Sequence, residues 1–209
     1  VCHEDSIRYL QEMESVDWIF IDPARRDGRG GKTVAISDCE PDVSALEDLL
    51  LEKAPHVLVK LSPMLDLALA LHDLKHVEVA DIGSVDNDCK ELRHGLGRET
   101  HLSSEEVPIH CINLMTSQTT QCLLFTRQQE KEYSCPYTST LKTYLYEPNA
   151  SILKAGAFRS VSSIYNVEKL HPNSHLYTSD EYIPDFPGRR FQITGSSSLN
   201  KKELKELLG

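Results

Sequence analysis

Between Asp17 and Thr33 the chain reads DWIFIDPARRDGRGGKT. An apolar run delivers a carboxylate, Asp22, to its end; a proline, two arginines and a glycine-rich segment closing on Lys-Thr follow. Two chemistries suit such a stretch. A glycine-rich loop ending in Lys-Thr can wrap phosphates with successive backbone N–H groups. Alternatively, a carboxylate at the C-terminal end of a strand stands where open α/β sheets bind their ligands, and it can accept a hydrogen bond from a reacting group. Pro23 would then fix the turn and leave its carbonyl available, while the arginines hold a phosphate or carboxylate of the substrate.

Counting separates the two. A P-loop carries a glycine five positions before its Gly-Lys-Ser/Thr and opens a helix. Here position 26 is Arg26, and Val34-Ala35-Ile36 continues in β-type residues, so the spacing argues against a nucleotide triphosphate site. The basic residues Arg25, Arg26, Arg29 and Lys32 remain notable because they cluster in a chain of net charge −10. They form either a local patch for phosphate or a solvated loop paired with Asp22 and Asp27.

The elements that must position this segment belong to a soluble α/β chain. With 209 residues, 40% of them hydrophobic and 26% charged, the length admits one large or two small domains with a real core. No apolar run approaches a membrane span and no signal peptide opens the chain, which points to the cytoplasm and to no membrane partner. The acidic balance argues against a surface that binds nucleic acid throughout. Six cysteines, none in a C-x-x-C pair, read as reduced structural thiols, and nine scattered histidines offer no metal site.

The first hundred residues alternate helices and strands. DSIRYLQEM predicts a helix capped by Asp5, DWIFI a buried strand, and EPDVSALEDLLLEKA a helix with Pro41 in its first turn. HVLVKL is the next strand, and SPMLDLALALHDL predicts a helix capped by Ser62 with Pro63 in its first turn. This rhythm implies parallel strands with crossover helices. HVEVADIGSV, VPIHCINLM and TQCLLFT then follow without long helices, the last two joined by a hairpin over Thr116 to Thr119, which gives the sheet an antiparallel edge. From about Tyr133 a second unit begins, with strands at TYLYEP, HLYTS and GRRFQIT and one helix over NASILKAGAFRSVSSI. The tail SLNKKELKELLG predicts a helix with Asn200 as cap.

HEDSIRYLQ, DWIFIDPARRDGRGGK and HVLVKLSPMLD, in that order, resemble the second half of class I S-adenosylmethionine-dependent methyltransferases. The form DPARRDGRGGK together with YLYEPNASILKAGAF is similar to bacterial methyltransferase-like proteins with appended ferredoxin-like and THUMP-like domains. The resemblance implies the C-terminal half of a Rossmann-like methyltransferase sheet over residues 1–130, a small α+β ferredoxin-like domain over 133–195, and the start of a further domain over 196–209. It implies that Asp5 stands near the adenine of the cofactor. Asp22, with Pro23, Ala24 and Arg25, would form the catalytic-loop motif and also touch the cofactor. Arg26, Arg29, Lys32, Lys60 and Ser62 would face the substrate, for which tRNA or rRNA is the family analogy.

Two departures qualify that expectation. Ala24 replaces the second proline of the amine-methylating motif, so the acceptor nitrogen does not carry over. The glycine-rich loop that holds the methionine moiety has no counterpart in these 209 residues, GLGRE at Gly95 to Glu99 having the wrong spacing. Together with the opening at Val1, this suggests a segment of a longer protein, with S-adenosylmethionine binding expected of the complete protein only. A non-catalytic RNA-binding or scaffold protein with the same fold, and an unrelated α/β domain whose Asp-Pro loop is structural, are the competing readings.

Overall fold

A computed structural model of the chain describes residues 3–25, 35–198 and 200–208. The elements, in order, are α1 (Ser6–Glu12), β1 (Trp18–Ile21), β2 (Ala24–Arg25), β3 (Cys39–Glu40), α2 (Val43–Lys53), β4 (His56–Leu61), α3 (Leu67–Asp73), β5 (Val77–Val85), β6 (Asp88–Gly97), β7 (Ile109–Leu114), β8 (Thr120–Phe125), α4 (Arg127–Glu132), β9 (Tyr144–Pro148), α5 (Ala150–Ala155), α6 (Phe158–Tyr165), β10 (Glu168–Lys169), β11 (Tyr177–Ser179), β12 (Gly188–Gln192) and α7 (Lys201–Leu208). They divide into two compact units, Val1–Glu132 with Ala150–Ala157, and Tyr133–Asn149 with Phe158–Gly209.

The first unit is built on a six-stranded sheet of order β1-β4-β6-β5-β7-β8. β1 and β4 run parallel, as do β5 and β7, whereas β6 is antiparallel to both its neighbours. The expected antiparallel edge is β8, joined to β7 by the hairpin over Thr116 to Thr119. β4 and β6 bury one face: Val57, Val59 and Leu61 on β4 and Leu92, His94 and Leu96 on β6 are fully enclosed, while His56, Leu58, Lys60 and Arg93 are not. α2 packs against β4, and α5 packs against β5, β6 and β7. The β5–β6 turn uses Asp86 and Asn87, both at positive φ (48° and 66°), and Asn87 Oδ1 accepts a hydrogen bond of 2.7 Å from the Ala150 backbone N–H at the start of α5. Glu47, only 1% exposed, accepts from the backbone N–H groups of Lys75 and His76 and so ties α2 to the entry of β5.

Five expectations need correction. DWIFI is not a buried strand: β1 is an edge of the sheet, and its Trp18 and Phe20 are 59% and 61% exposed. Ser62 does not cap α3: its Oγ accepts from Met64 N and its carbonyl from Leu65 N, a local turn, and the helix begins after Asp66, whose carboxylate accepts from Leu69 N. Pro41 lies before the helix it was expected to open, because the cap of α2 is Asp42, which accepts from Ser44 N and Ala45 N. β6 had no counterpart in the sequence reading, its alternation being hidden by charged residues. The single helix expected over NASILKAGAFRSVSSI is two, since Gly156 adopts φ +71° and closes α5 before α6 starts.

The second unit is a four-stranded antiparallel sheet of order β10-β11-β9-β12 with α6. Tyr146, Tyr177, Phe186 and Val161 form its core. Both buried tyrosines keep their hydroxyls satisfied, Tyr146 donating to the Glu181 carbonyl at 2.7 Å and Tyr177 to the Phe158 carbonyl at 3.0 Å. Gly188 is obligatory where β12 meets β9, for a Cβ there would stand 2.0 Å from the Glu147 carbonyl oxygen. In α7, Asn200 accepts from Lys202 N as the expected cap, while Glu203 reaches back to Ser198. No helix among the described residues is long and apolar enough to cross a membrane, and Cys89, Cys111, Cys122 and Cys135 are free thiols.

His94 gives this fold a pH signature. It is fully buried on β6 between Val59 of β4 and Ala80 of β5, and among the described residues neither ring nitrogen has a hydrogen-bond partner. Burial pulls its pKa from 6.5 down to about 4. The unfolded chain therefore takes up a proton near pH 6.5 while the folded chain does not, so stability is full above that pH and falls as pH drops towards 4. Urea unfolding between pH 7 and pH 4 should show this loss at about 3 kcal/mol, and His94→Leu should remove that part of the dependence.

Candidate active site

The parallel pairing of β1 on β4 sets Trp18 beside His56, Phe20 beside Leu58 and Ile21 beside Val59. Continued by one residue, the same register brings Asp22 to Lys60. Their side chains leave the sheet on one face, and Lys60 Nζ donates to Asp22 Oδ2 at 2.6 Å. The Asp22 hydrogen bond and charge, with a further contribution from Glu91, hold the Lys60 ammonium above its ordinary value against partial desolvation. Pro23 is buried, which anchors the turn that follows β1. Ala24 and Arg25 then form β2, paired with β3 through Ala24 opposite Glu40 and Arg25 opposite Cys39. Arg26, Arg29 and Lys32 lie outside the described residues. Ser62 stands just past the end of β4, two residues from Lys60, with its hydroxyl engaged by Met64 N at 3.3 Å.

Asp5 caps α1, its Oδ1 accepting from Ile7 N and Arg8 N at 3.0 and 2.9 Å. Its neighbours Glu4 and Ser6 line a cavity of about 580 Å³ with Ile7, Leu10, Trp18 and Ile21. The cavity runs between α1, β1 and α2, and its volume is of the size that accommodates a nucleoside. Its walls are mostly apolar and suit a planar ring system, and Glu4 is the one carboxylate among the lining residues.

The sheet face beyond Lys60 carries ionisable residues that the sequence reading did not select. Arg93 lies opposite Lys60 on β6 and opposite Asp81 on β5, and Asp81 lies opposite His110 on β7. Arg93 NH2 is 3.6 Å from Asp81, Arg93 Nε is 3.5 Å from Glu91, and His110 Nδ1 is 3.1 Å from Asp81. A row of ionisable side chains thus crosses from the end of β1 to β7, with the cations Lys60 and Arg93 side by side between Asp22 and Asp81. The spacing Glu91, Arg93 with buried Leu92, His94 and Leu96 between and after them is the period-two signal that could have revealed both the strand and the row.

Comparison with known proteins gives two matches. A family model described as a ferredoxin-like domain matches residues 144–187. A crystal structure of a candidate methyltransferase from Porphyromonas gingivalis W83 is similar with a TM-score of 0.83 and 42% sequence identity, over 91% of this chain and 46% of that one. The chain spans about half the length of that protein. No curated protein matches. The fold is accordingly a mixed α/β sheet of the kind found in that structure, together with a ferredoxin-like domain.

The ion pair at the strand ends has a direct readout. In Asp22→Asn the carboxylate that holds the Lys60 proton is gone, so the Lys60 ammonium should titrate at lower pH than in the parent chain. Carbon-detected NMR of lysine Cε measures this, and an unchanged titration would show that the pair does not form in solution.

Proposed function

We propose that this chain is part of an S-adenosylmethionine-dependent methyltransferase that acts on RNA. The observation that carries the reading is Asp22, delivered by β1 to the C-terminal end of a parallel strand pair and met there by Lys60 of β4. This is where open α/β sheets concentrate ligand chemistry. The similarity to a candidate methyltransferase at 42% identity supports the same conclusion.

S-adenosylmethionine, when bound, supplies a methyl group already activated on a cationic sulfur, so the protein has to position rather than to activate the donor. Ile7, Leu10, Trp18 and Ile21 would hold the adenine, with Glu4 and Asp5 towards the ribose. Asp22 and the Pro23 carbonyl are the acceptors that orient the nucleophile, and Ala24 leaves room beside them. Arg25, Arg26, Arg29 and Lys32 would take a phosphodiester, with Ser62 at the rim. Four clustered cations suit a nucleic-acid backbone better than a small metabolite. Lys60 serves Asp22 first, so its part in substrate contact is joint with that carboxylate. Residues 196–209 would lead into a further, THUMP-like domain.

Calorimetric titration of S-adenosylmethionine into this chain and into the full-length gene product tests the reading. Binding is expected for the full-length product and much weaker binding for these residues alone. Absence of binding to either would remove methyl transfer and leave a scaffold that meets RNA without chemistry.

A further inference from the structure

Lys60 stands between carboxylates on both neighbouring strands. Asp22 Oδ2 is 2.6 Å away on the β1 side, and the charge of Glu91 on β6 also bears on the ammonium. Register accounts for the second: Lys60 faces Arg93 and Leu61 faces Leu92, so Glu91 lies one step beyond the last pair, at the level of Ser62 where β4 ends. Arg93 Nε, 3.5 Å from Glu91 Oε1, steadies that carboxylate from the side away from the strand ends. Asp22 Oδ1 has no partner among the described residues. Asp22, Lys60 and Glu91 are 49%, 37% and 27% exposed, open enough to meet a ligand.

Nitrogen and oxygen acceptors ask for different surroundings. An exocyclic amine presents N–H groups and needs free acceptors; an ammonium beside the carboxylate competes for the same oxygens. A hydroxyl must lose its proton as its oxygen attacks, and it gains from a neighbouring cation that lowers its proton affinity and from a carboxylate that takes the proton. A lysine set between two carboxylates supplies both.

We infer that Asp22, Lys60 and Glu91 activate an alcohol oxygen as the methyl acceptor, which in RNA is the ribose 2′-hydroxyl. This rests on the methyltransferase reading and specifies its acceptor atom. Lys60 donates a hydrogen bond to the hydroxyl oxygen, and Asp22 Oδ1 accepts the hydroxyl proton as the new O–C bond forms. The S–C bond of the sulfonium breaks with its electron pair remaining on sulfur, leaving a neutral thioether, and the proton passes from Asp22 to solvent. No other reactant is required. Glu91 is a positioning residue that acts through Lys60.

The test incubates the full-length gene product with S-adenosylmethionine bearing a deuterated methyl group and total RNA from cells lacking the gene, then digests the RNA to nucleosides for mass spectrometry. Label is expected in 2′-O-methylribonucleosides. Label confined to methylated bases overturns the hydroxyl acceptor and leaves the methyltransferase reading standing. Absence of label from RNA overturns that reading, and this inference with it. Glu91→Gln should slow transfer by roughly 10- to 100-fold and, independently of activity, lower the pH at which Lys60 titrates in NMR of the 209-residue chain. A folded Glu91→Gln protein with unchanged rate and unchanged Lys60 titration would exclude Glu91 from the group.

Discussion

Because β1 and β4 run parallel with Ile21 opposite Val59, the residues that follow each strand leave the sheet side by side and at the same end. Parallel strands cannot be joined by a tight turn, so the chain between them has to cross over. Here it does so through α2, with Asp42 as its cap. That crossover lets Asp22 and Lys60, 38 residues apart in sequence, reach 2.6 Å. The motif after β1 would be an ordinary turn without this pairing. With it, a carboxylate is fixed in direction by a cation that belongs to another strand.

The charged face and the apolar face of the same sheet play separate parts. On one side Val57, Val59, Leu61, Leu92 and Leu96 are buried, and their removal from water supplies the main driving force for assembling the sheet. On the other, the row from Asp22 through Lys60, Arg93 and Asp81 to His110 is partly exposed, where solvent screening leaves ion pairs little to add to stability. Its effect is on orientation more than on stability. Asp81 is held by Arg93 of β6 and His110 of β7, and Lys60 by Asp22 at the end of β1, so these side chains are fixed in direction.

Much of this arrangement was legible from local patterns, and the rest depended on pairing. Asp5 and Asn200 were readable as caps because a short acceptor before a helical repeat has few other uses, and β1, β4 and β7 were readable as apolar runs. Ser62 misled for a physical reason: Ser-Pro has the signature of a helix start, yet Asp66 offers a cap four residues later and the Ser62 hydroxyl is satisfied within its own turn. β6 was hidden because Asp88, Lys90, Glu91 and Arg93 make its first half look like a solvated loop; only neighbours on both sides explain why such residues lie in the middle of a sheet. The return of residues 150–157 to the first unit has no sequence signal either, since the apolar spacing of α5 would serve any sheet. What selects its site includes the bond from Ala150 N to Asn87, a turn residue 63 positions earlier.

Charge is distributed unevenly between the two units. Residues 133–149 and 158–209 contain eight Lys and Arg against seven Asp and Glu, whereas the whole chain carries −10, so the acidic excess belongs to the first unit. A polyanion that approaches Asp22 must overcome this excess. Lys60 and Arg93 do not offset it, because their charges are matched by Asp22, Glu91 and Asp81 at close range. The local counterweight in sequence is the run Arg25, Arg26, Arg29 and Lys32, which follows Asp22 directly. Under the proposed function, four cations against the two carboxylates Asp22 and Asp27, in an otherwise acidic unit, would favour an anionic ligand next to Asp22 over the rest of the unit.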